Sequence, residues 1–244
     1  MRTSERPEQR HGDNLYPVTL VQEFAGERLE LDVPEGVWNP TPHGIHLGNM
    51  LMERLRFDGE HVLELGTGCG IHAILLARRG AAELTLTEIG ESINANAAHN
   101  LRKHGVDVPV HWHVADWTHV PGASHDGDVP WDTLVTNPPF GKSGKRYRRY
   151  FIDTLILDAH KLVRPGGRLV FIHSSMADIP RTLRMLDEHG MSVRIVGETS
   201  GPFRQYYFED ERYLVEMARV PGAYAIIDGV HHERLIAFEA RLPG

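Results

Sequence analysis

The chain is poor in the features that would tie it to an oxidising or membranous setting. It has one cysteine among 244 residues, which excludes an internal disulfide and leads to the expectation of a reduced, cytoplasmic compartment. No apolar run approaches the roughly 20 residues that a membrane helix needs. Residues 1–14 lack the apolar centre of a signal peptide and read as a polar, frayed tail. Positive charge is in deficit, with 26 Lys and Arg against 33 Asp and Glu and a formal net charge of −7. That balance argues against a broad nucleic-acid surface without excluding a local one. Histidine is abundant, at 16 residues, yet metal-ligand spacing is lacking. His111 and His113 share one face of a strand and His231-His232 sit in a turn, with no third and fourth ligand at fixed spacing, so no metal is expected. There is no internal repeat and no low-complexity array, and the length suits one α/β domain with short additions at its ends.

What is present centres on a glycine loop. Residues 61–65, His-Val-Leu-Glu-Leu, form a short apolar run that stops at Gly66-Thr67-Gly68-Cys69-Gly70, and residues 71–79 have the dense apolar content of a packed helix. In a strand-loop-helix unit of this kind the glycines let the backbone turn tightly and approach a ligand, while the helix start offers unpaired N–H groups. The small Cys69 side chain fits inside such a loop. The loop alone does not separate nucleotide-binding oxidoreductases from its other users.

Further strands follow at residues 84–88, 110–114 and 133–136. The first ends in Glu88, about twenty residues after the glycines, where an acid in a doubly wound sheet accepts hydrogen bonds from both ribose hydroxyls; a solvated charge is the alternative. The third reads as fully buried, and Pro138 and Pro139 cannot continue it because they lack N–H donors. The chain must turn out at Asn137. A residue before proline is pushed toward extended geometry, so the Asn137 side chain and carbonyl face the crevice at the sheet's C-terminal edge, where doubly wound sheets bind ligands.

The pairing of this glycine loop with Val-Thr-Asn-Pro-Pro-Phe at residues 135–140, some seventy residues on, resembles the class I S-adenosylmethionine (SAM) methyltransferases. Specifically, it is similar to their Asn-Pro-Pro-aromatic branch of small-domain, protein-glutamine and adenine-N6 enzymes, over about residues 37–219. The resemblance implies an α/β fold: a doubly wound, seven-stranded, mostly parallel sheet with one antiparallel strand, Rossmann-like, here with small N- and C-terminal β additions. It implies SAM as cofactor, held by Glu64, Gly66, Thr67, Gly68, Gly70, Glu88, Asp116, Trp117 and Asn137. Glu64 suits SAM better than a dinucleotide, because a carboxylate there would repel a pyrophosphate, whereas SAM carries an ammonium and a sulfonium. In the resembled family an acid at the Asp116 position meets the adenine amino group and a neighbour, here Trp117, packs on the ring; Asp116 as a turn cap is the alternative.

The catalytic residues that the resemblance implies are Asn137, Pro138 and Phe140. The Asn oxygen and the first Pro carbonyl each accept an N–H from the planar acceptor nitrogen, which aims its lone pair at the methyl carbon, and the aromatic stacks on the acceptor. Trp38, Thr41 and His43 lie in an aromatic, proline-bearing segment that closes over the methionine end in that family; a packed loop with a helix cap is the equal alternative.

The remaining chain divides into residues 15–56, read as a strand pair and a leading helix at 45–55, a core at 57–220, and a β extension at 221–244. Within the core, helices are expected at 91–104, 150–163 and 178–189, strands at 168–173 and 192–197, and the antiparallel seventh strand at 213–220. Pairs at 223–228 and 235–240 would extend the sheet or form a dimer edge, leaving monomer and homodimer both open. Lys142, Lys145, Arg146, Arg148 and Arg149, interleaved with Tyr147 and Tyr150, fit a single-stranded nucleic-acid contact, a lid that clamps an anionic group, or a solvated helix start. Residues 203–211, with Tyr206 as a substrate candidate, either line the acceptor pocket or pack into the core.

These features lead to a SAM-dependent methyltransferase acting on a nitrogen of a small molecule, with protein glutamine or an RNA base as lesser options. A rival keeps SAM and drops methyl transfer: the pocket cyclises SAM to azetidine-2-carboxylate and methylthioadenosine, with Asn137 orienting its α-amine. A non-catalytic partner subunit fits poorly with intact Glu64, Glu88 and Asn137.

Overall fold

Val62 and Glu64 alternate with Leu63 and Leu65 along one short strand, so its two faces go to two different helical layers. The computed structural model describes residues 17–116, 119–124, 129–139, 149–209 and 211–244. In chain order, the central sheet and its helices are β3 (His61–Leu65), α2 (Ile71–Arg78), β4 (Glu83–Glu88), α3 (Glu91–Lys103), β5 (Val110–Val114), β6 (Thr133–Thr136), α4 (Tyr150–Leu157), α5 (Ala159–Leu162), β7 (Arg168–Ser174), α6 (Ile179–Glu188), β8 (Ser192–Pro202), α7 (Glu211–Met217), β9 (Ala225–Ile227) and β10 (Val230–Arg241). The strand order is β5-β4-β3-β6-β7-β10-β8, with β9 paired to β10. The first five of these pair in parallel, and β10 runs antiparallel to both β7 and β8.

The described residues begin with a hairpin of β1 (Val18–Phe24) and β2 (Glu27–Val33), which turns at Ala25 and Gly26, both at positive φ, as tight hairpin turns require. Its Phe24, Leu29, Leu31 and Val33 are fully buried against α1 (Pro42–Arg54) and α2. The fit is close: a Cβ on Gly48 of α1 would lie 2.5 Å from the Phe24 ring. Asn100 of α3 takes the hairpin to the glycine loop, accepting from Asp32 N–H and donating to the carbonyls of Asp32 and Cys69. The other face of the sheet packs on α4, α5 and α6 through Leu63, Leu65, Leu134, Leu169 and Phe171.

Two sequence expectations are corrected here. Residues 213–220, expected as the antiparallel strand, begin as helix: Tyr213 and Met217, four residues apart, are the buried positions of α7, a helical spacing that a short alternating window conceals. The antiparallel strand is β10, so residues 235–240 stand inside the sheet and are not an addition to its edge. Among the described residues no helix is long and apolar enough to cross a membrane.

The N-terminal edge of the sheet is closed by charge. Arg168, 6% exposed, donates to Thr133 Oγ1, to Glu60 and to Glu239, and its guanidinium lies 4.8 Å from the Phe57 ring centre. A second buried arginine bears on the basic segment. Arg149 is 7% exposed. It pairs with Asp153 at 2.9 Å and donates to the carbonyls of Ala177 and Asp178. It is an anchor between α4 and the start of α6; Lys142, Lys145, Arg146, Tyr147 and Arg148 lie outside the described residues. Removing one partner of a buried ion pair costs about 3–5 kcal/mol. Arg181 also holds Asp153, at 2.8 Å, which softens the loss. Arg149→Ala is therefore expected to lower the unfolding free energy by about 3 kcal/mol in urea titration, and a change under ~1 kcal/mol would refute the anchoring role.

Candidate active site

The C-terminal ends of β5, β4, β3 and β6 bring the expected residues to one edge in that order, Asp116, Glu88, the glycine loop and Asn137, with Ser174 at the end of the neighbouring β7. The loop is built as its glycines allow. Gly66, Gly68 and Gly70 have φ of 73°, 56° and 84°, the left-handed region that costs an L side chain. A Cβ on Gly70 would meet Leu101 at 2.7 Å, so this glycine lets α2 close on α3, whereas among the described residues nothing lies within 4 Å of a Cβ on Gly68. The loop is hung from β4. Gly66 and Thr67 N–H donate to the Thr87 carbonyl at 3.0 and 3.1 Å, and Gly68 N–H donates to Glu88 Oε1 at 3.0 Å. The other Glu88 oxygen accepts from Ile89 N–H at 2.9 Å. Asp116 is exposed just beyond β5, where Ala115 N–H bonds to the Glu88 carbonyl. Burial pushes the Cys69 thiol up to about 12, which leaves it a packed side chain without thiolate chemistry.

Glu64 is 1% exposed beneath the loop. Its Oε2 accepts from the Thr67 hydroxyl at 2.8 Å, and its Oε1 lies 3.4 Å from His72 Nδ1. The other His72 nitrogen, Nε2, donates to the Gly44 carbonyl at 2.8 Å. His72 did not stand out in the sequence; its position two residues past the last glycine, in the first turn of α2, is the signal that could have found it.

At the end of β6, Thr136 Oγ1 donates to the Leu65 carbonyl at 2.9 Å, locking the strand to the start of the glycine loop. Asn137 is half-buried and Pro138 buried. The first turn of α1 lies directly against them: a Cβ on Gly44 would be 3.4 Å from Asn137 Nδ2 and 3.7 Å from the His72 ring. Of the other expected contacts, Thr41 caps α1 through Gly44 N–H, and Trp38 is 40% exposed. Trp117, Phe140 and the Tyr206 side chain lie outside the described residues.

His43 is 2% exposed and turned toward a buried polar cluster that the sequence did not reveal. Its Nδ1 accepts from Arg204 at 2.7 Å, and its Nε2 faces Glu233 Oε2 at 3.7 Å. Burial, with Arg204 and two histidines nearby, holds His43 well below the usual imidazole range. Burial pushes the Glu233 carboxyl up to about 7, against smaller opposing contributions from Ser174, Arg204 and Tyr207. Burial also lowers His173, stacked beside Phe171 and Phe238, to about 4. Tyr207 and Tyr213 are packed with Met176, Phe203 and Met217 in a small third core, so Tyr207 of residues 203–211 goes to packing.

A sheet in this order, with an acid at the end of its second parallel strand and a glycine loop hung from it, defines a Rossmann-like methyltransferase fold. The chain belongs to the Methyltransferase small domain family, whose model matches residues 46–202. It is 29% identical over 194 residues to a Release factor glutamine methyltransferase of Chlorobaculum tepidum, covering 67% of this chain and 66% of that one. It is also 29% identical over 133 residues to a tRNA1(Val) (adenine(37)-N6)-methyltransferase of Aeromonas hydrophila, covering 50% and 55%. The chain thus spans about two thirds and about half of these relatives' lengths. The solved 16S rRNA N2 G1207 methyltransferase of T. thermophilus, in complex with AdoMet and guanosine, superposes with a TM-score of 0.60 at 17% identity, over 94% of this chain and 51% of that one.

The buried acid and histidines oppose one another in pH. The stabilisation from a raised Glu233 is complete below its ordinary value of 4.5 and is lost as pH rises through about 7. That from lowered His43 and His173 is complete above 6.5 and is lost as pH falls. Between those limits Glu233 offsets one histidine. Glu233→Gln is expected to lose stability on acidification from pH 6.5 to 4.5 more steeply than the parent, by about 1.4 kcal/mol per pH unit. Equal slopes in urea titrations across that range would contradict this.

Proposed function

We propose that this chain is a SAM-dependent methyltransferase that methylates a planar amino or amide nitrogen of a small molecule. The observation that carries the reading is Asn137, turned out at the end of β6 beside a glycine loop tied to Glu88. When bound, SAM supplies a methyl group on a sulfonium whose positive charge is dispersed as the methyl leaves. The protein's share is then mostly placement. The space at Gly68 among the described residues and the N–H-rich loop fit the nucleoside and methionine portions, and the Glu88 carboxylate at the end of β4, bonded to the loop through Gly68 N–H, is the acceptor for the ribose hydroxyls. Asn137 Oδ1 and the Pro138 carbonyl are two acceptors on one side of the acceptor nitrogen. Holding both of its hydrogens there draws the lone pair out of conjugation and points it away from Asn137.

A nitrogen acceptor accords with relatives named for glutamine and adenine-N6 methylation. A small acceptor accords with the net charge of −7 and with Arg149 being committed to an internal anchor. Incubation with SAM, with and without candidate acceptors, followed by mass spectrometry tests the reaction type. S-adenosylhomocysteine marks transfer, whereas methylthioadenosine formed without any acceptor marks intramolecular cyclisation and would overturn the proposal.

Two variants separate the roles. Glu88→Ala removes a charged acceptor worth about 1.5–3 kcal/mol per hydrogen bond, so calorimetry is expected to show S-adenosylhomocysteine binding weakened at least ~10-fold; unchanged affinity in a folded variant contradicts the ribose role. Asn137→Ala is expected to bind that ligand within a few-fold of the parent and to turn over at least ~100-fold more slowly, since it loses orientation in the transition state. Parallel loss of binding and turnover would make Asn137 a cofactor residue alone.

A further inference from the structure

The cofactor and acceptor sides of the site meet through one buried imidazole. His72 is 5% exposed. Because a carbonyl only accepts, the ring proton facing Gly44 resides on Nε2, and Nδ1 is left toward Glu64. Glu64 Oε1, the oxygen it faces, is buried and makes no hydrogen bond among the described residues, while Oε2 is committed to Thr67 inside the glycine loop. A change in the loop therefore reaches Glu64 through Thr67 and the ring through Glu64. On its far side the ring holds the first turn of α1 by the Gly44 carbonyl, and Gly44 faces Asn137 closely enough that a Cβ added to it would lie 3.4 Å from Asn137 Nδ2. Thr67, Glu64, His72 and Gly44 are thus joined in series by polar contacts of 2.8, 3.4 and 2.8 Å, and a close-packed interior transmits strain along such a series.

We propose that His72 is a positioning residue that couples occupancy of the glycine loop to the placement of the α1 first turn against Asn137, so that the acceptor side is completed only when the loop is filled. The proposal rests on the SAM reading above. It requires that the ligand bind more tightly to the arrangement in which Gly44 is held against Asn137, since a ligand shifts an equilibrium only by its differential affinity. Reciprocally, loosening the turn should weaken ligand binding by no more than the coupling itself.

The test uses the full chain with S-adenosylhomocysteine as probe, and reads calorimetric affinity together with hydrogen exchange of the amides in residues 42–48. In the parent, saturating probe is expected to slow exchange of the Gly44 and Ile45 amides at least ~10-fold. His72→Phe, which fills the space without a donor, is expected to bind the probe within ~10-fold of the parent while losing that protection. His72→Gln, whose amide can donate to the Gly44 carbonyl, is expected to recover much of it. A merely structural role would leave the ligand-dependent protection of a folded variant intact. Binding to the parent without added protection of residues 42–48 overturns the proposal and needs no variant. Equal protection in His72→Phe and the parent also overturns it. Failure of the parent to bind the probe instead sinks the SAM reading and the coupling with it.

Discussion

The hydrogen bond from the buried His72 ring to the Gly44 carbonyl fixes the first turn of α1 beside Asn137. The arrangement of the site follows from that contact. The Gly44 carbonyl accepts from His72 Nε2 at 2.8 Å, and a side chain at this position would meet both Asn137 and the ring. The hairpin below sets where the turn falls, because Gly48 on the same helix lies over Phe24, and Asn100 ties that hairpin to the glycine loop. The additions before the core are thus part of the site's frame.

The two edges of the sheet treat charge differently. At the N-terminal edge Arg168 is matched by Glu60 and Glu239, which consumes donors and acceptors in fixing strands together. At the C-terminal edge the buried groups are kept largely neutral by burial, as in His43, His173 and Glu233. There Glu64 meets the Thr67 hydroxyl and the His72 ring, and Glu88 accepts from the Gly68 amide.

Much of this was legible in the sequence because local chemistry enforced it. Strands β3, β5 and β6 fall at the residues expected, since each is a short apolar run cut off by glycine, polar or proline residues. The turn at Asn137 is a consequence of two prolines that no tertiary contact can override. What could not be read depends on long-range pairing. Residues 213–220 hold a short apolar alternation that is ambiguous by itself, and only the competition with β10 for the place beside β7 decides it. Glu233 stands in a run of charged and apolar residues whose burial is set by Ser174 and His43, far away in sequence. Arg149 looked like its basic neighbours until its carbonyl partners at 177 and 178 were in place.

The position of β10 has a consequence for the order of events during synthesis. Among the described residues β8 joins the sheet only through β10, yet β8 leaves the ribosome some thirty residues earlier, so it must wait for that neighbour while α7 and β9 emerge. Until then β7 presents a bare edge at the centre of the eventual sheet, the situation in which strands pair with the wrong chain. The exposed charged residues along β8, Arg194 and Glu198 among them, are of the kind that discourages such pairing during the wait.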